Sequence, residues 1–361
     1  MAQEQGAISL PSADLRGGLR NKSSLVRFLV GLGRFMRTKP LGAFGLILIV
    51  VLVLMALFAD AIDRVSPETI IRVPATNCKP EEVDNPNIDC FSPELTEQAS
   101  TNALLRLQYP ASRFQAGGNG GNILVNASPS GAHWLGTDGR GRDLYSRIIH
   151  GSQLALLVGI GGALIAVGLG TFFGVISAYF GGMVDLLMQR ITDAFFAFPS
   201  LILLLIFSQV VENPNKYWIT LALGVVGIAS VVRIARSAVL ATREEVYVMA
   251  ARTVGASDAR IMARHILPNI VAPLIVIFTI SIGLYILAEA GLAFIGLGDP
   301  TAISWGKMVN EGRQLGPAKP GMALYVGLAI TVTVLGFNLL GDALRDVLDP
   351  RLRGRGGRAG F

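Results

Sequence analysis

The sequence predicts an all-α integral membrane protein with six transmembrane helices, and three observations lead to that fold class. First, 52% of the 361 residues are hydrophobic and 16% are charged, whereas a soluble domain carries about 25% charged residues. Second, six apolar stretches approach or exceed the length that crosses about 30 Å of hydrocarbon. Third, Lys and Arg cluster at the edges of those stretches. The net charge of +6 therefore indicates a lipid bilayer as partner and not a nucleic acid.

The chain opens with a basic arm, residues 1–40, followed by the first apolar stretch, residues 41–59. The arm is too long and the stretch too fully apolar for a cleaved signal peptide, so we expect an uncleaved anchor. Because cytoplasmic flanks of membrane spans carry an excess of Lys and Arg, the N terminus is expected in the cytoplasm.

A polar insert, residues 60–152, separates the first span from the rest and is extracytoplasmic by parity. Cys78 and Cys90 lie in it, in a compartment that permits disulfides. We expect them to be bridged, which would contribute about 3 kcal/mol, and the alternative is two free thiols. The run Gly117-Gly118-Asn119-Gly120-Gly121 indicates a flexible hinge or linker.

The predicted membrane core, residues 153–342, begins with a long Gly-rich span, residues 154–180. Small residues recur in it at every fourth position, which places them on one helix face and lets another helix approach closely. The alternative is a chance pattern in a Gly-rich span. The residues of this stripe are Gly162, Ala166, Gly170, Gly174 and Ala178.

Four further spans are predicted at residues 195–211, 217–232, 270–297 and 322–340, followed by a basic tail, residues 343–361. Six spans and a basic tail place both termini in the cytoplasm. Glu289 lies late in the fifth span. It is either a functional charge within the membrane or a hydrogen-bonded residue near the outer end of the helix.

A polar segment, residues 243–269, joins the fourth and fifth spans and predicts two short helices around a break. Val246, Ala250 and Val254 recur at helical spacing, with Met249 on the same side. Gly255 stands where the first helix would end, because glycine takes a left-handed turn without steric cost.

Ser257 is placed to cap the second helix, and Pro268 fits the first turn of the helix after it. The two helices would form a compact knob between two membrane spans. Such a knob can transmit a mechanical displacement, and it contains no catalytic residues of its own.

This segment resembles the coupling loop of ABC-importer permeases, known as the EAA motif. Ala250-Ala251, Gly255 and Ile266-Leu267-Pro268 match it, and Met249 stands where the family carries Glu. The resemblance implies that the loop docks into a cleft on a separate ATPase subunit, without the charge contact of that Glu. The residues it marks for this docking are Tyr247, Met249, Ala250, Ala251, Arg252, Gly255, Ile266, Leu267 and Pro268.

A second signature is similar to the dipeptide/oligopeptide branch of these permeases. It consists of Leu135-Gly136-Thr137-Asp138 and Gly141-Arg142-Asp143, and matching segments recur near the C-terminal end, such as Ser304-Trp305-Gly306. The resemblance implies a type I ABC importer permease core that moves di- or oligopeptides across the bacterial inner membrane. The insert lies outside this resemblance; its polar composition and outer placement predict a cap over the pore mouth or a docking face for the binding protein, and the alternative is a peripheral decoration.

The same resemblance implies a set of partners: a homologous second permease, two ATP-binding subunits that hold ATP and Mg, and an extracytoplasmic peptide-binding protein. Two alternatives stay open. The first is the same architecture importing another cargo, such as nickel or a glycan. The second is a membrane scaffold that transports nothing, for which the coupling loop would have no purpose.

Catalysis within this chain is not expected. The sequence has no GxxxxGK[ST] phosphate loop and no HExxH, so we expect no bound nucleotide, metal or other cofactor in this subunit. His133, His150 and His265 are far apart and divided between the two membrane sides, which disfavours a metal site. The spans also lack the row of charges that an ion-coupled pump carries.

Overall fold

A computed structural model of the chain describes residues 33, 35–63, 65–73, 114–117, 121–124, 126–131, 133–211, 214–316 and 321–348. Most of the basic arm, residues 74–113 of the insert and the end of the basic tail lie outside these residues. So do Cys78 and Cys90, whose pairing stays a prediction.

Helices dominate the described part of the chain. They are, in chain order, α1 (Pro40–Leu57), α2 (Ala59–Ile62), α3 (Leu144–Phe180), α4 (Gly182–Phe196), α5 (Ser200–Gln209), α6 (Lys216–Arg243), α7 (Val246–Thr253), α8 (Asp258–Ile261), α9 (Leu267–Phe294), α10 (Trp305–Gln314) and α11 (Gly321–Leu348). A π-helical turn, Met262–Ile266, joins α8 to α9.

Five continuous helical segments in this part of the chain are long and apolar enough to cross a membrane: α1, α3, α6, the run from α8 through α9, and α11. The helices α4 and α5 together pass the same test as one broken span, bent by 85°. Pro199 explains the break, because it stands in an extended conformation (ψ 131°) at the N-cap of α5 and lacks an N–H. The passage therefore begins at Gly182, and not at residue 195 as the sequence predicted.

Packing against α6 shows that the bent pair carries the chain back across. The helices α3 and α6 run in the same direction, since Gly170 of α3 abuts Val231 and Gly174 abuts Ala235. Two parallel neighbours need a return path between them. The bent pair provides it, with Asp193 of α4 near one end of α6 and Phe207 of α5 near the other. The predicted fold class of six helical passages is confirmed.

The small-residue stripe of α3 is buried along its whole length. A Cβ on Gly170 would lie 2.5 Å from the Cβ of Val231, and one on Gly174 would lie 2.7 Å from that of Ala235. Gly162 instead faces the ring of Tyr285 in α9. The stripe thus lets α3 lie close to two helices, which makes α3 the centre of the bundle.

The outer helices also pack closely against their neighbours at glycine residues. A Cβ on Gly45 of α1 would lie 2.7 Å from the carbonyl oxygen of Gly336 in α11. Gly42 lies against Ala343, so α1 and α11 run antiparallel. α11 in turn packs on α9, where Gly341 lies against Ile280.

The start of α3 differs from the predicted boundary of the insert. The helix begins at Leu144, within residues assigned to the insert, because Asp143 caps it by accepting a hydrogen bond from the backbone N–H of Ser146 (2.9 Å).

The insert also contributes a small antiparallel sheet of strands β1 (Arg72–Val73), β2 (Phe114–Gly117) and β3 (Gly121–Leu124), in the order β1-β3-β2. Gly117 pairs with Gly121. Both ends of the glycine run therefore lie in paired strands. Residues 118–120 lie outside the described residues, so the interpretation of the run as a flexible hinge or linker stays a prediction.

Candidate functional site

The segment between α6 and α9 forms the predicted knob, defined here as residues 246–266. The chain leaves α7 through Gly255, whose φ of +78° is the left-handed conformation expected there. An added Cβ at Gly255 would meet no atom within 4 Å. A side chain at this position would therefore cost backbone strain, about 1 kcal/mol, and no steric clash.

The second helix of the knob starts at Asp258, as expected, but without the predicted side-chain cap. Ser257 occupies the N-cap position in an extended conformation and makes no side-chain capping hydrogen bond. Asp258, in the first turn, accepts a hydrogen bond from the hydroxyl of Tyr179 (2.5 Å). The helix start is thus tied to α3 across 79 residues of sequence.

The structure decides the direction in which α7 faces, which the sequence analysis left open. Val248 is fully buried, whereas Val246 and Val254 are 74% and 82% exposed. Helical spacing identified a stripe of apolar residues, but spacing alone cannot say whether a stripe points towards the bundle or away from it. The stripe of Val246, Met249, Ala250 and Val254 points away.

Two residues assigned to ATPase docking consequently lie inside the knob. Ala251 is 8% exposed and Ile266 is fully buried. Both belong to an apolar cluster with Val239 of α6 and Ile270 of α9. They pack inside the knob in this structure, and their assignment to ATPase docking stays a prediction.

The remaining predicted residues are accessible. Val246, Tyr247, Met249, Ala250 and Val254 are all exposed and form what we call the outer face of the knob. Burial, and then the nearby carboxylate of Glu245, raise the pKa of Tyr247, so its phenol is neutral at physiological pH. An exposed apolar surface of this kind on a polar loop is typical of a protein-binding site.

Leu267 and Pro268 are also exposed, at the start of α9, with Pro268 in the first turn as predicted. Arg252 is exposed on the knob, and its guanidinium carbon lies 5.2 Å from the ring centroid of Tyr179. Arg260 and Arg264 are exposed as well. All three arginines of the knob are therefore accessible to a partner.

The peptide-branch signature lies at the opposite end of α3 and has a structural role. Asp138 is fully buried and accepts hydrogen bonds from the backbone N–H groups of Arg140 (2.8 Å) and Arg142 (2.9 Å). Its other oxygen accepts from Arg142 Nε at 2.7 Å. Arg147 Nε lies 3.5 Å from the same oxygen, and the Arg142 guanidinium also reaches Glu311 of α10.

Asp143 completes this region, which we call the outer clamp (residues 133–147 with Glu311). One carboxylate oxygen caps α3, and the other lies 2.7 Å from Nδ1 of His133. Burial raises the pKa of Asp143, but the hydrogen bonds from His133 and Ser146 outweigh it and hold the pKa below its ordinary value. The spacing of these residues along the sequence could not predict these contacts, because they form only when the chain folds back through two turns.

Glu289 is a hydrogen-bonded residue and not a free charge in the membrane. It is 3% exposed and accepts a hydrogen bond from Ser304 Oγ (2.8 Å). The adjacent Trp305 donates its indole N–H to the carbonyl of Ile148 (3.0 Å). Ser304-Trp305-Gly306 thus holds α10 over the outer ends of α9 and α3.

Among the described residues, no group of three or more His, Cys, Asp or Glu side chains is placed to hold a metal ion.

Comparison with known proteins identifies the architecture. The family model described as binding-protein-dependent transport system inner membrane component matches residues 170–354. That range runs from the second half of α3 to beyond α11 and includes the knob.

Several curated relatives are similar over a longer range. The glutathione transport system permease protein of Pectobacterium atrosepticum is 41% identical over 230 residues, which cover 63% of this chain and 76% of the relative. The dipeptide transport system permease protein of Alkalihalophilus pseudofirmus is 42% identical over 226 residues, 62% of this chain and 74% of the relative. A glutathione transport system permease protein of Escherichia coli is 40% identical over 231 residues, 64% of this chain and 76% of the relative.

Proposed function

The chain belongs to the family of binding-protein-dependent transport system inner membrane components, and from that premise we propose that it is one of two pore-forming permeases in an ATP-driven importer of short peptides. Membership makes it a multi-pass protein of the inner membrane, a permease of an ABC importer that works with ATPase and binding-protein partners. The proposal adds the cargo, the subunit composition and the site of ATPase docking.

The observation that carries the proposal is the outer face of the knob. It presents Val246, Tyr247, Met249, Ala250 and Val254 to solvent on a segment between two membrane helices. In the proposed mechanism, two ATPase subunits close on ATP and draw the knobs of two permeases together, which rocks the pore between outward and inward states. Met249, in place of an acid, makes this docking depend on apolar contact and on the arginines of the knob.

The cargo is inferred from two sources. The outer clamp carries the signature that resembles the dipeptide/oligopeptide branch, and the relatives named above transport a dipeptide or glutathione, which is itself a tripeptide. Nickel or a glycan remains the alternative. Binding of labelled di- and tripeptides to the cognate binding protein, with nickel and an oligosaccharide as competitors, separates them.

The orientation follows from the arginines. Arg233, Arg236 and Arg243 lie near the end of α6 from which the knob emerges, and the knob itself adds three. An excess of Arg marks the cytoplasmic side, so the knob and both termini are proposed to be cytoplasmic. A tag at either terminus should be digested by protease in inside-out vesicles and protected in intact spheroplasts.

Co-purification tests the proposal against a non-transporting scaffold. The tagged chain, expressed with its neighbouring permease and ATPase genes, should retain both ATPase subunits in detergent. In nanodiscs the complex should hydrolyse ATP faster when loaded binding protein is added. A chain that purifies without ATPase subunits under these conditions would contradict the proposed function.

A further inference from the structure

The inner end of α3 is a junction of three contacts made by three consecutive residues. Ser177 Oγ donates a hydrogen bond to Asp185 of α4 (2.6 Å). The carbonyl of Ala178 accepts from Arg243 Nη1 of α6 (2.8 Å). The hydroxyl of Tyr179 donates to Asp258 of the knob. Three elements, α4, α6 and the knob, therefore meet on one turn of α3.

The contact between the knob and this junction is both apolar and polar. Tyr179 is 6% exposed and packs in the cluster with Val248, Ala251 and Ile261 of the knob. Its hydroxyl is held by Asp258, and the Arg252 guanidinium lies over its ring. The Tyr179 side chain of α3 thus contacts both helices of the knob.

The junction continues into the bent pair. Asp185 of α4 accepts from Ser177 and from Arg236, whose Nε lies 2.7 Å from it. Gly181 lies between α3 and α4, and Gly182 is the first residue of α4; their φ angles are +67° and +54°. Glycine adopts these conformations at little cost, so α4 can change its angle to α3 while the hydrogen bond keeps the two ends together.

We propose that Tyr179 is the positioning residue through which movement of the knob reaches the bent pair α4–α5. A displaced knob pulls Asp258, Asp258 moves the end of α3 through the Tyr179 hydroxyl, and Ser177 carries that movement to Asp185. The bent pair is suited to respond, because most of its apolar side chains, such as Leu187, Ile191 and Leu201, are exposed and not locked in the bundle. This inference rests on the proposed function of the knob.

Removing the hydroxyl alone tests it. Tyr179→Phe keeps the ring in the cluster and deletes the bond to Asp258, and Tyr217→Phe, at an exposed tyrosine on the outer end of α6, is the matched control. In proteoliposomes with loaded binding protein, Tyr179→Phe should lower peptide taken up per ATP hydrolysed by about tenfold, the scale of a hydrogen bond to a charged group. ATPase subunit content and the hydrolysis rate should stay within about twofold of wild type.

Variants at the partner residue complete a double-mutant cycle. Asp258→Ala should lower coupling as Tyr179→Phe does, and the double variant should be no worse than either, because both delete the same bond. Asp258→Asn keeps an acceptor oxygen and should restore most of the coupling, a rescue that a general folding role of Asp258 would not give.

The outcomes separate this inference from the proposed function. Wild-type protein that retains no ATPase subunits would overturn the proposed function. If wild type is coupled and Tyr179→Phe matches Tyr217→Phe, or if its uptake and hydrolysis fall together, then Tyr179 does not transmit the movement. Additive effects of Tyr179→Phe and Asp258→Ala would likewise overturn it.

Discussion

The two ends of α3 are fastened in opposite ways. The outer end is held by buried carboxylates: Asp138 is fully buried, and Asp143, beside His133, has 3% of its side chain exposed. The inner end is held by an apolar cluster and single hydrogen bonds, and two glycines with positive φ follow it. A network of buried charges tolerates little displacement, because any charge that loses its partner is strongly destabilised. The outer end is therefore a fixed point and the inner end the part that can move.

This comparison predicts that substitutions in the outer clamp cause the largest loss of stability. Asp138→Ala would leave two backbone N–H groups and Nε of Arg142 without their acceptor. The guanidinium groups of Arg142 and Arg147 would keep only Glu311, at 3.5 Å and 3.9 Å. Breaking a buried pair of this kind costs about 3–5 kcal/mol. We expect a strong fall in the thermal unfolding midpoint of the purified protein.

Asp346→Asn is the control for that variant. Asp346 pairs with Lys39 at 2.7 Å, but its side chain is 47% exposed. An exposed pair contributes little, so the midpoint should change by no more than about 1 °C. Equal effects of the two variants would contradict the contrast between the ends of α3.

The next largest effect distinguishes neighbouring alanines of the knob. Ala251→Glu puts a carboxylate into an apolar cluster and should destabilise the protein by roughly 2–3 kcal/mol, with loss of ATPase activity as a consequence. Ala250→Glu lies on the outer face and should leave stability within about 0.5 kcal/mol while weakening ATPase binding. Thermal unfolding and ATPase co-purification check the pair together. Normal stability of Ala251→Glu would mean that α7 faces the other way.

A smaller effect concerns pH at the outer clamp. Because the folded protein holds the pKa of Asp143 below its ordinary value, its charge stabilises the fold fully above the unfolded pKa of about 3.9. That contribution is lost as pH falls through the lower folded value. Asp143→Asn keeps a capping oxygen and should cost about 1 kcal/mol at pH 7, and the difference from wild type should shrink towards pH 3. A difference that stays constant with pH would show that the charge of Asp143 is not what stabilises this end.

The smallest effect is expected at Met249. The side chain is 49% exposed on the outer face, so Met249→Glu should change stability by less than about 0.5 kcal/mol. It restores the residue usual at this point of the loop, and ATPase activity of the complex should be retained. Loss of more than about half of that activity would show that apolar contact at this position is required.

The sequence alone determined the features that depend on local chemistry and on composition. Apolar length gave the membrane passages, because crossing hydrocarbon requires about 20 apolar residues wherever they lie in the chain. The left-handed turn at Gly255 and the position of Pro268 in the first turn of α9 follow from the backbone preferences of single residues. The family resemblance came from short motifs at these same positions.

Tertiary structure decided the features that depend on contacts between distant segments. Whether Ala250 or Ala251 faces the bundle is set by the helices that surround α7, since both positions fit the same helical pattern. Tyr179 carried no signal in the sequence, because its partner Asp258 lies 79 residues away and is met only when α3 and the knob pack together. The bend of 85° between α4 and α5 was likewise not predictable from the sequence, since Pro199 predicts a break but not its angle.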